Sequence, residues 1–140
     1  LFGMPRAVTS RASYAANGSM RYISTLYDVG GAAVTAEGSW AMTPTLGFEA
    51  GYVVTFEKAV VVLDGKREKP FCVYPAKGEA FVPKLPEGDG YEYEIRWFMD
   101  LLCGRKVACV TTPEQSRDSV RIVDAEKRSA RTGKTVRLAR

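Results

Sequence analysis

The sequence contains no histidine among its 140 residues. Without histidine the chain cannot form a Ser-His-Asp triad, a Cys-His pair or a histidine-based zinc site. Closely spaced carboxylates are present, Glu87 with Asp89 and Glu92 with Glu94, but residues at this separation point apart and are expected to face solvent. We therefore predict no catalytic residue and no metal site within this chain.

A glycine-rich phosphate-binding loop is also missing. No Gly-x-Gly-x-x-Gly follows a strand pattern, so no cofactor-binding residue is predicted. The segment Thr132-Gly133-Lys134-Thr135 is similar to the end of a P-loop, but Arg128 stands where that motif needs a glycine. The segment also leads from a helix into a strand, the reverse of a P-loop, which favours a glycine that ends a helix.

Long apolar runs and paired cysteines are scarce as well. No apolar run approaches the ~20 residues of a membrane-spanning helix, and the first residues lack the segments of a signal peptide. The three cysteines, Cys72, Cys103 and Cys109, have no Cys-x-x-Cys spacing, which is typical of reduced thiols in a cytoplasmic protein. We predict a cytoplasmic protein without a membrane partner.

The net charge is only +4, and the excess lies largely near the C-terminus. These basic residues are not interleaved with aromatic side chains that could stack on bases, and cations are favoured at the negative end of a helix. A solvated helix end is therefore favoured, and no nucleic-acid partner is predicted. The residues concerned are Lys127, Arg128, Arg131, Lys134, Arg137 and Arg140.

Period-two patterns fill the first two-thirds of the chain and predict strands separated by turn residues. Asn17-Gly18 predicts a hairpin in which both turn residues have positive φ. Most of this region is thus expected to form a sheet. The predicted strands are Ala7–Ala15, Ser19–Tyr27, Ala32–Ala41, Gly51–Glu57, Ala59–Leu63, Phe71–Tyr74, Glu79–Val82 and a last strand with Val136 and Leu138.

The period changes in the last third, where a first amphipathic helix is predicted. Tyr91, Ile95, Phe98 and Leu102 recur at spacings of four, three and four, which forms an apolar stripe on one helix face. Gly104 follows where this helix should end.

A second helix is predicted from a capping box, with Thr112 at the N-cap position and Gln115 three residues later. Gly133 is expected to end it in a left-handed conformation. Its inner face is predicted to comprise Val120, Val123 and the aliphatic part of Lys127.

Together these elements predict a single α+β domain over residues 1–140, an open antiparallel or mixed β-sheet of about eight strands with two helices packed on one face. About eight strands at ~4.8 Å spacing span ~38 Å, whereas two helices ~10 Å across cover about half of one face. The opposite face is either unusually polar or covered by a second copy of the chain. The apolar run Val60–Leu63, with Val53 and Phe56, favours a homodimer or higher oligomer through this open face.

Three segments of the last third follow one another in a specific order: Gly90–Gly104 (GYEYEIRWFMDLLCG), Thr111–Gln115 (TTPEQ) and Ser129–Leu138 (SARTGKTVRL). With the Trp40 strand, this order resembles the C-terminal domain of the Gfo/Idh/MocA family, the nicotinamide-dependent sugar dehydrogenases related to glucose-fructose oxidoreductase and inositol dehydrogenase. The resemblance implies a longer parent oxidoreductase whose N-terminal Rossmann domain, absent from this chain, binds NAD or NADP. This chain would then be its substrate-binding and dimerisation domain, inactive in isolation, with a sugar or polyol as substrate.

The family's catalytic residues lie outside this domain, and the lysine belongs to a Glu-Lys-Pro motif. Glu68-Lys69-Pro70 is the same tripeptide. It follows a Gly-Lys-Arg turn deep inside the domain rather than a Rossmann strand, so we interpret it as a coincidence.

Four residues are predicted to face the substrate cleft, because the resemblance makes the sheet of this domain one wall of that cleft. They are Trp40, Thr43, Thr45 and Tyr91. An aromatic wall and hydroxyl groups are what a polyol substrate can use. The alternatives are that Trp40 packs in the core against the helices and that Tyr91 merely anchors the start of its helix.

A second hypothesis belongs to a different functional class. The chain could be a self-associating, non-enzymatic binding or scaffold domain whose exposed sheet pairs with itself or with a partner protein. A Gly-x-Gly-x-x-Gly and a Glu-Lys-Pro in the preceding ~150 residues, the size of a Rossmann domain, would favour the oxidoreductase.

Overall fold

The computed structural model of the protein describes residues 2–108 and 111–138. Cys109 and Arg140, which belong to two of the predictions above, lie outside this part. The described residues form seven strands, two α-helices and one short 3-10 helix. In chain order the elements are β1 (Ala7–Tyr14), β2 (Met20–Asp28), β3 (Ala33–Ser39), the 3-10 helix (Pro44–Leu46), β4 (Gly51–Thr55), β5 (Ala59–Asp64), β6 (Phe71–Pro75), α1 (Gly90–Leu102), α2 (Pro113–Thr132) and β7 (Val136–Arg137).

The strands form two sheets, not one. A four-stranded sheet has the order β3-β2-β1-β7 and a three-stranded sheet has the order β4-β5-β6. Every strand pair in them is antiparallel. The α+β class is therefore confirmed, and seven strands are close to the predicted number of about eight, but they form two sheets rather than one open sheet. The chain divides accordingly into two compact units, the first comprising Leu1–Met42 and Ala108–Arg140 and the second Thr43–Val107.

The predicted strand Glu79–Val82 is reduced to one isolated bridge between Phe81 and Val73. Their backbones exchange two hydrogen bonds, of 2.9 and 3.0 Å. Pro83 follows directly and has no N–H to continue a ladder. The other predicted strands are present with small shifts of their ends.

The hairpin between β1 and β2 is confirmed, but its turn differs from the prediction. Gly18 has φ of 81°, and no residue other than glycine has positive φ among the described residues, so Asn17 does not. The Gly18 N–H donates to Ala15 O and the Ala15 N–H donates to Ser19 O, both at 2.9 Å. This pattern indicates a type I turn followed by a glycine bulge.

Helix α2 packs against β1 and β7 of the first unit. Its buried residues are Ala125 and Ser129, and the Ser129 hydroxyl accepts the N–H of the buried Ser10 of β1. The predicted inner face is wrong, because Val120 and Val123 are exposed. Small side chains one turn apart let the helix approach the strand closely.

The ends of α2 match the sequence prediction. The Thr112 hydroxyl accepts the Gln115 N–H and the Gln115 side chain accepts the Thr112 N–H, at 3.2 and 2.9 Å. Gly133 is left-handed with φ of 69° and its N–H donates to Ser129 O. This glycine ends the helix immediately before β7, as expected for a cap rather than a phosphate-binding loop.

Helix α1 begins where Asp89 caps it, since the Asp89 carboxylate accepts the Glu92 N–H at 2.8 Å. No residue of α1 is buried. The predicted apolar stripe is therefore exposed: Tyr91, Ile95, Phe98 and Leu102 all keep about half or more of their surface accessible. Of the two predicted helices, α2 packs on the four-stranded sheet, whereas α1 buries none of its residues.

In the three-stranded sheet, both faces are apolar. The register places Val53, Val62 and Cys72 side by side, and their neighbours Tyr52, Leu63 and Phe71 on the opposite face. Val62 and Cys72 are buried, but Val53 is 64% exposed and Tyr52 is 48% exposed. The second unit therefore presents apolar surface on both sides of its sheet.

Candidate functional site

The four predicted cleft residues fall in both units. Trp40 follows β3 in the first unit, and Thr43, Thr45 and Tyr91 belong to the second. Among the described residues, Thr43 and Thr45 form the only hydrogen bond between two members of this set, at 3.2 Å between their hydroxyl oxygens.

Trp40 is 94% exposed, so the alternative that it packs in the core is wrong. Its backbone is nevertheless fixed: the Trp40 N–H donates to Arg21 O at 2.8 Å, which extends the pairing of β2 and β3 by one step. The next N–H, that of Ala41, donates to the Ser39 hydroxyl at 3.0 Å. A rigid strand end thus presents the whole indole to solvent.

Thr43 directly precedes the 3-10 helix and Thr45 lies within it. Thr43 is its N-cap residue and Pro44 its first residue, and Gly47 ends it with φ of 74°. The pair shares one O–H···O bond, so one hydroxyl hydrogen stays available to donate elsewhere.

Tyr91 is 79% exposed in the first turn of α1. The helix start is anchored by other groups: Asp89 caps it, and the Tyr93 hydroxyl donates to Glu87 O. Sequence reasoning missed both roles, although an aspartate three residues before a glutamate at a helix start is a recognisable capping signal.

The Glu68-Lys69-Pro70 tripeptide lies in the connection between β5 and β6. The Asp64 N–H closes this connection by donating to Pro70 O at 2.8 Å. A turn between antiparallel strands is not the end of a Rossmann strand, which agrees with the interpretation as a coincidence.

A small cleft of about 310 Å³ in the second unit is lined by Phe48, Glu49, Gly51, Asp64 and Lys66, among others. Its charges are already paired. Lys66 forms an ion pair with Glu49, and the pKa of Asp64 is lowered because its carboxylate accepts the Lys66 N–H and then the Arg67 guanidinium. This cleft offers a ligand little unsatisfied charge.

A larger cleft of about 500 Å³ lies within the first unit, in the four-stranded sheet. Arg6, Thr9, Asp28, Thr135 and Arg137 line it. Sequence reasoning did not bring these residues together, because Thr9 and Thr135 stand 126 positions apart and meet only through the pairing of β1 with β7.

Within the described residues, no group of three or more Cys, Asp or Glu side chains could hold a metal ion. No described helix is both long and apolar enough to cross a membrane. Cys72 is buried and Cys103 is exposed, and both are free thiols.

Solved structures of oxidoreductases share this fold. No family model and no curated protein matches the sequence. The aldose-aldose oxidoreductase from Caulobacter crescentus, complexed with glycerol, matches with a TM-score of 0.75 and 17% identity over 96% of this chain and 42% of its own. The WlbA dehydrogenase from Bordetella pertussis, in complex with NADH and UDP-GlcNAcA, matches with a TM-score of 0.72 and 17% identity over 99% of this chain and 40% of its own. An NAD-binding oxidoreductase from Klebsiella pneumoniae matches with a TM-score of 0.72 and 18% identity over 99% of this chain and 46% of its own.

The chain therefore has the fold of one domain of larger oxidoreductases, and it spans less than half the length of each of these structures. The matching structures are Gfo/Idh/MocA-type oxidoreductases, which confirms at the level of the fold the resemblance carried by Trp40 and the Gly90–Leu138 segment.

Proposed function

We propose that this chain is the substrate-binding and dimerisation domain of an NAD- or NADP-dependent sugar or polyol oxidoreductase. The observation that carries the proposal is the fold match, which covers nearly the whole chain but less than half of each neighbouring structure. The names of those neighbours are consistent with it, since one is described as acting on aldoses and another is bound to NADH.

The described residues do not fit a nicotinamide dinucleotide themselves. Dinucleotides bind at the carboxyl ends of parallel strands, over a glycine-rich turn that opens a helix. All strand pairs of both sheets are antiparallel. Cofactor binding and hydride transfer are therefore assigned to the proposed Rossmann domain, and the role of this chain is to bind and orient the substrate.

The substrate wall is proposed to comprise Trp40, Thr43, Thr45 and Tyr91. An exposed indole offers an apolar face to the C–H groups of a sugar ring, and the phenol and hydroxyl groups can bind its O–H groups. In the full-length enzyme, Trp40→Ala is expected to raise KM for the sugar more than it lowers kcat, because uniform binding is lost. Val120→Ala, at an exposed apolar position of α2, is the matched control and should change neither.

Dimerisation is proposed to involve the three-stranded sheet, because both its faces expose apolar side chains. The sequence prediction selected Val60–Leu63, but Val62 is buried within the chain, so a charge there would unfold the unit rather than test an interface. The exposed neighbours Tyr52 and Val53 point to opposite faces of β4. Of the variants Tyr52→Lys and Val53→Lys, one is expected to weaken the dimer and the other to serve as its control.

Sedimentation equilibrium at micromolar concentration measures this directly. A monomeric mass near 15.4 kDa for the unmodified chain would contradict the dimerisation role. Equal behaviour of the two lysine variants would show that the three-stranded sheet is not the interface.

The same exposed apolar surface also favours the alternative, a self-associating scaffold domain without enzymatic activity. The reading frame upstream of Leu1 distinguishes the two. A Gly-x-Gly-x-x-Gly after a strand pattern and a Glu-Lys-Pro are expected within about 150 codons, the size of one Rossmann domain. An upstream frame that lacks both motifs would contradict the oxidoreductase and leave the scaffold.

A further inference from the structure

We propose that the first unit contains a binding site for a small oxyanion, a phosphate or carboxylate group, held by the guanidinium groups of Arg6 and Arg137. The site is the cleft of about 500 Å³ in the four-stranded sheet, and it does not depend on the function proposed above.

Backbone pairing brings the two arginines together. Arg137 of β7 lies directly opposite Ala7 of β1. Arg6 immediately precedes Ala7, and its carbonyl accepts the Leu138 N–H at 2.9 Å. Arg6, just before β1, and Arg137, in β7, are therefore close along the paired backbones, and both line the same cleft.

The Arg6 guanidinium lies against a glycine. A Cβ atom at Gly30 would lie only 2.9 Å from Arg6 Nη2 and 3.0 Å from Cζ. Gly30 also has φ of 71°, a conformation that side chains other than glycine rarely adopt. The guanidinium thus lies against bare backbone, in space that any other residue would fill.

Neither guanidinium is neutralised by the described part of the chain, where all ion pairs involve other residues. One carboxylate, that of Asp28, lines the cleft. It accepts the Gly30 N–H at 3.2 Å and forms no ion pair with either arginine. Two cations face one anion, so the cleft keeps an excess of positive charge.

A hydroxyl pair completes the set of donors. The Thr9 and Thr135 hydroxyl oxygens lie 2.8 Å apart. Such a pair uses one hydrogen and leaves the other free to donate. Two guanidinium forks with one hydroxyl are the groups that proteins use for bidentate recognition of phosphate and carboxylate, and the cleft volume is within the usual range for small-molecule sites.

The test is calorimetric titration of the chain with inorganic phosphate and, in a second arm, with acetate, at constant ionic strength. Saturable binding of at least one anion is expected, and the anion that binds more tightly shows whether the site prefers a phosphate or a carboxylate group. Arg6→Gln and Arg137→Gln should each weaken it about tenfold or more, because each removes a charge-assisted contact. Arg131→Gln is the matched control, since this exposed arginine of α2 is outside the cleft and carries the same charge.

Saturable binding that falls in the two cleft variants and persists in Arg131→Gln would support the site. Absence of saturable binding in both arms would overturn it. An equal loss in all three variants would also overturn it, since it would indicate attraction by net charge rather than a site. Melting temperatures of the variants identify any loss that is due to unfolding, and Arg137→Lys, which keeps the charge but loses the fork, then separates geometry from charge.

Discussion

Ser129→Ala removes the side-chain hydroxyl that connects α2 to the backbone of β1. Ser129 is fully buried. Its hydroxyl oxygen accepts the backbone N–H of Ser10 at 2.8 Å, and its O–H donates to the carbonyl of Lys134 at 2.7 Å. Because β7 pairs only with Ala7 and Val8, Ser10 has no strand partner in β7 and depends on this hydroxyl.

The cost follows from what each lost hydrogen bond leaves behind. The Ser10 N–H becomes a buried donor without an acceptor, which costs about 1–3 kcal/mol. The Lys134 carbonyl lies near the surface, so water can replace the hydroxyl, and only a net hydrogen bond of about 1 kcal/mol is lost. The apolar volume hardly changes, since alanine differs by one oxygen atom. We expect a total of about 2–4 kcal/mol, which corresponds to a melting temperature lower by roughly 10 °C for a chain of this size.

Urea unfolding followed by far-ultraviolet circular dichroism measures the change in free energy, provided that the slope against denaturant stays constant. Ser119→Ala is the matched control on the same helix. Ser119 is exposed and its hydroxyl only donates back to the Gln115 carbonyl at 3.1 Å, so its replacement should change stability by less than about 0.5 kcal/mol. If Ser129→Ala were as stable as Ser119→Ala, the Ser10 N–H would have another partner and the reasoning would be wrong.

Three further predictions concern other parts of the chain. Burial, and then the hydrogen bond to Glu126, raise the pKa of Tyr27 above its ordinary value of 10.0. The unfolded state therefore loses the phenol proton first, and the free energy of unfolding should fall as the pH rises above 10. In Tyr27→Phe the urea midpoint should fall less steeply with pH than in the control Tyr14→Phe. Gly133→Val should destabilise the chain by about 1–2 kcal/mol, because valine is strained at φ of 69°; an unchanged melting temperature would contradict the cap. The chain should not bind NADH, and saturable quenching or enhancement of nicotinamide fluorescence at low micromolar concentration would refute the assignment of the cofactor to another domain.

Local signals in the sequence predicted local structure well. The capping box of α2, the cap at Gly133 and the existence of the first hairpin depend on residues within a few positions of one another, and all are confirmed. The turn type was not predictable in the same way. Asn17-Gly18 is compatible with two hairpin geometries, and the pairing of Ala15 with Ser19 decides between them.

Long-range packing was predicted less well. Hydrophobicity selects Val120 and Val123 for the inner face of α2, yet the helix turns Ala125 and Ser129 inward. Close approach to β1 favours small side chains, and the serine is needed there for a hydrogen bond that only the sheet order reveals. The proposed oxyanion site depends on strand register in the same way, because the pairing of β1 with β7 brings Arg6 and Arg137 together from opposite ends of the chain.

The candidate substrate wall was predictable only through the family resemblance. Composition and periodicity placed Trp40 at a strand end but left its burial open, and the structure shows the side chain almost fully exposed. Tyr91 differs, because the alternative role at the helix start is filled by Asp89 and Tyr93. For both aromatics, the structure removes a structural explanation and leaves the functional one as a proposal.

The two sheets impose different requirements on whatever covers the chain. The face of the four-stranded sheet opposite α2 carries mostly polar side chains, such as those of Thr9, Arg11, Thr35 and Glu37, and a polar face is stable in water.

The second unit exposes apolar side chains on both faces of its sheet and along α1, and monomers rarely keep apolar patches above a few hundred Å². The apolar surface that favours a covering partner therefore belongs to the second unit and not to the first. Both faces of the three-stranded sheet and α1 therefore offer apolar surface to a partner. In the proposed oxidoreductase, a second copy of the chain and the Rossmann domain would be available to cover this surface, whereas a scaffold would need a partner protein.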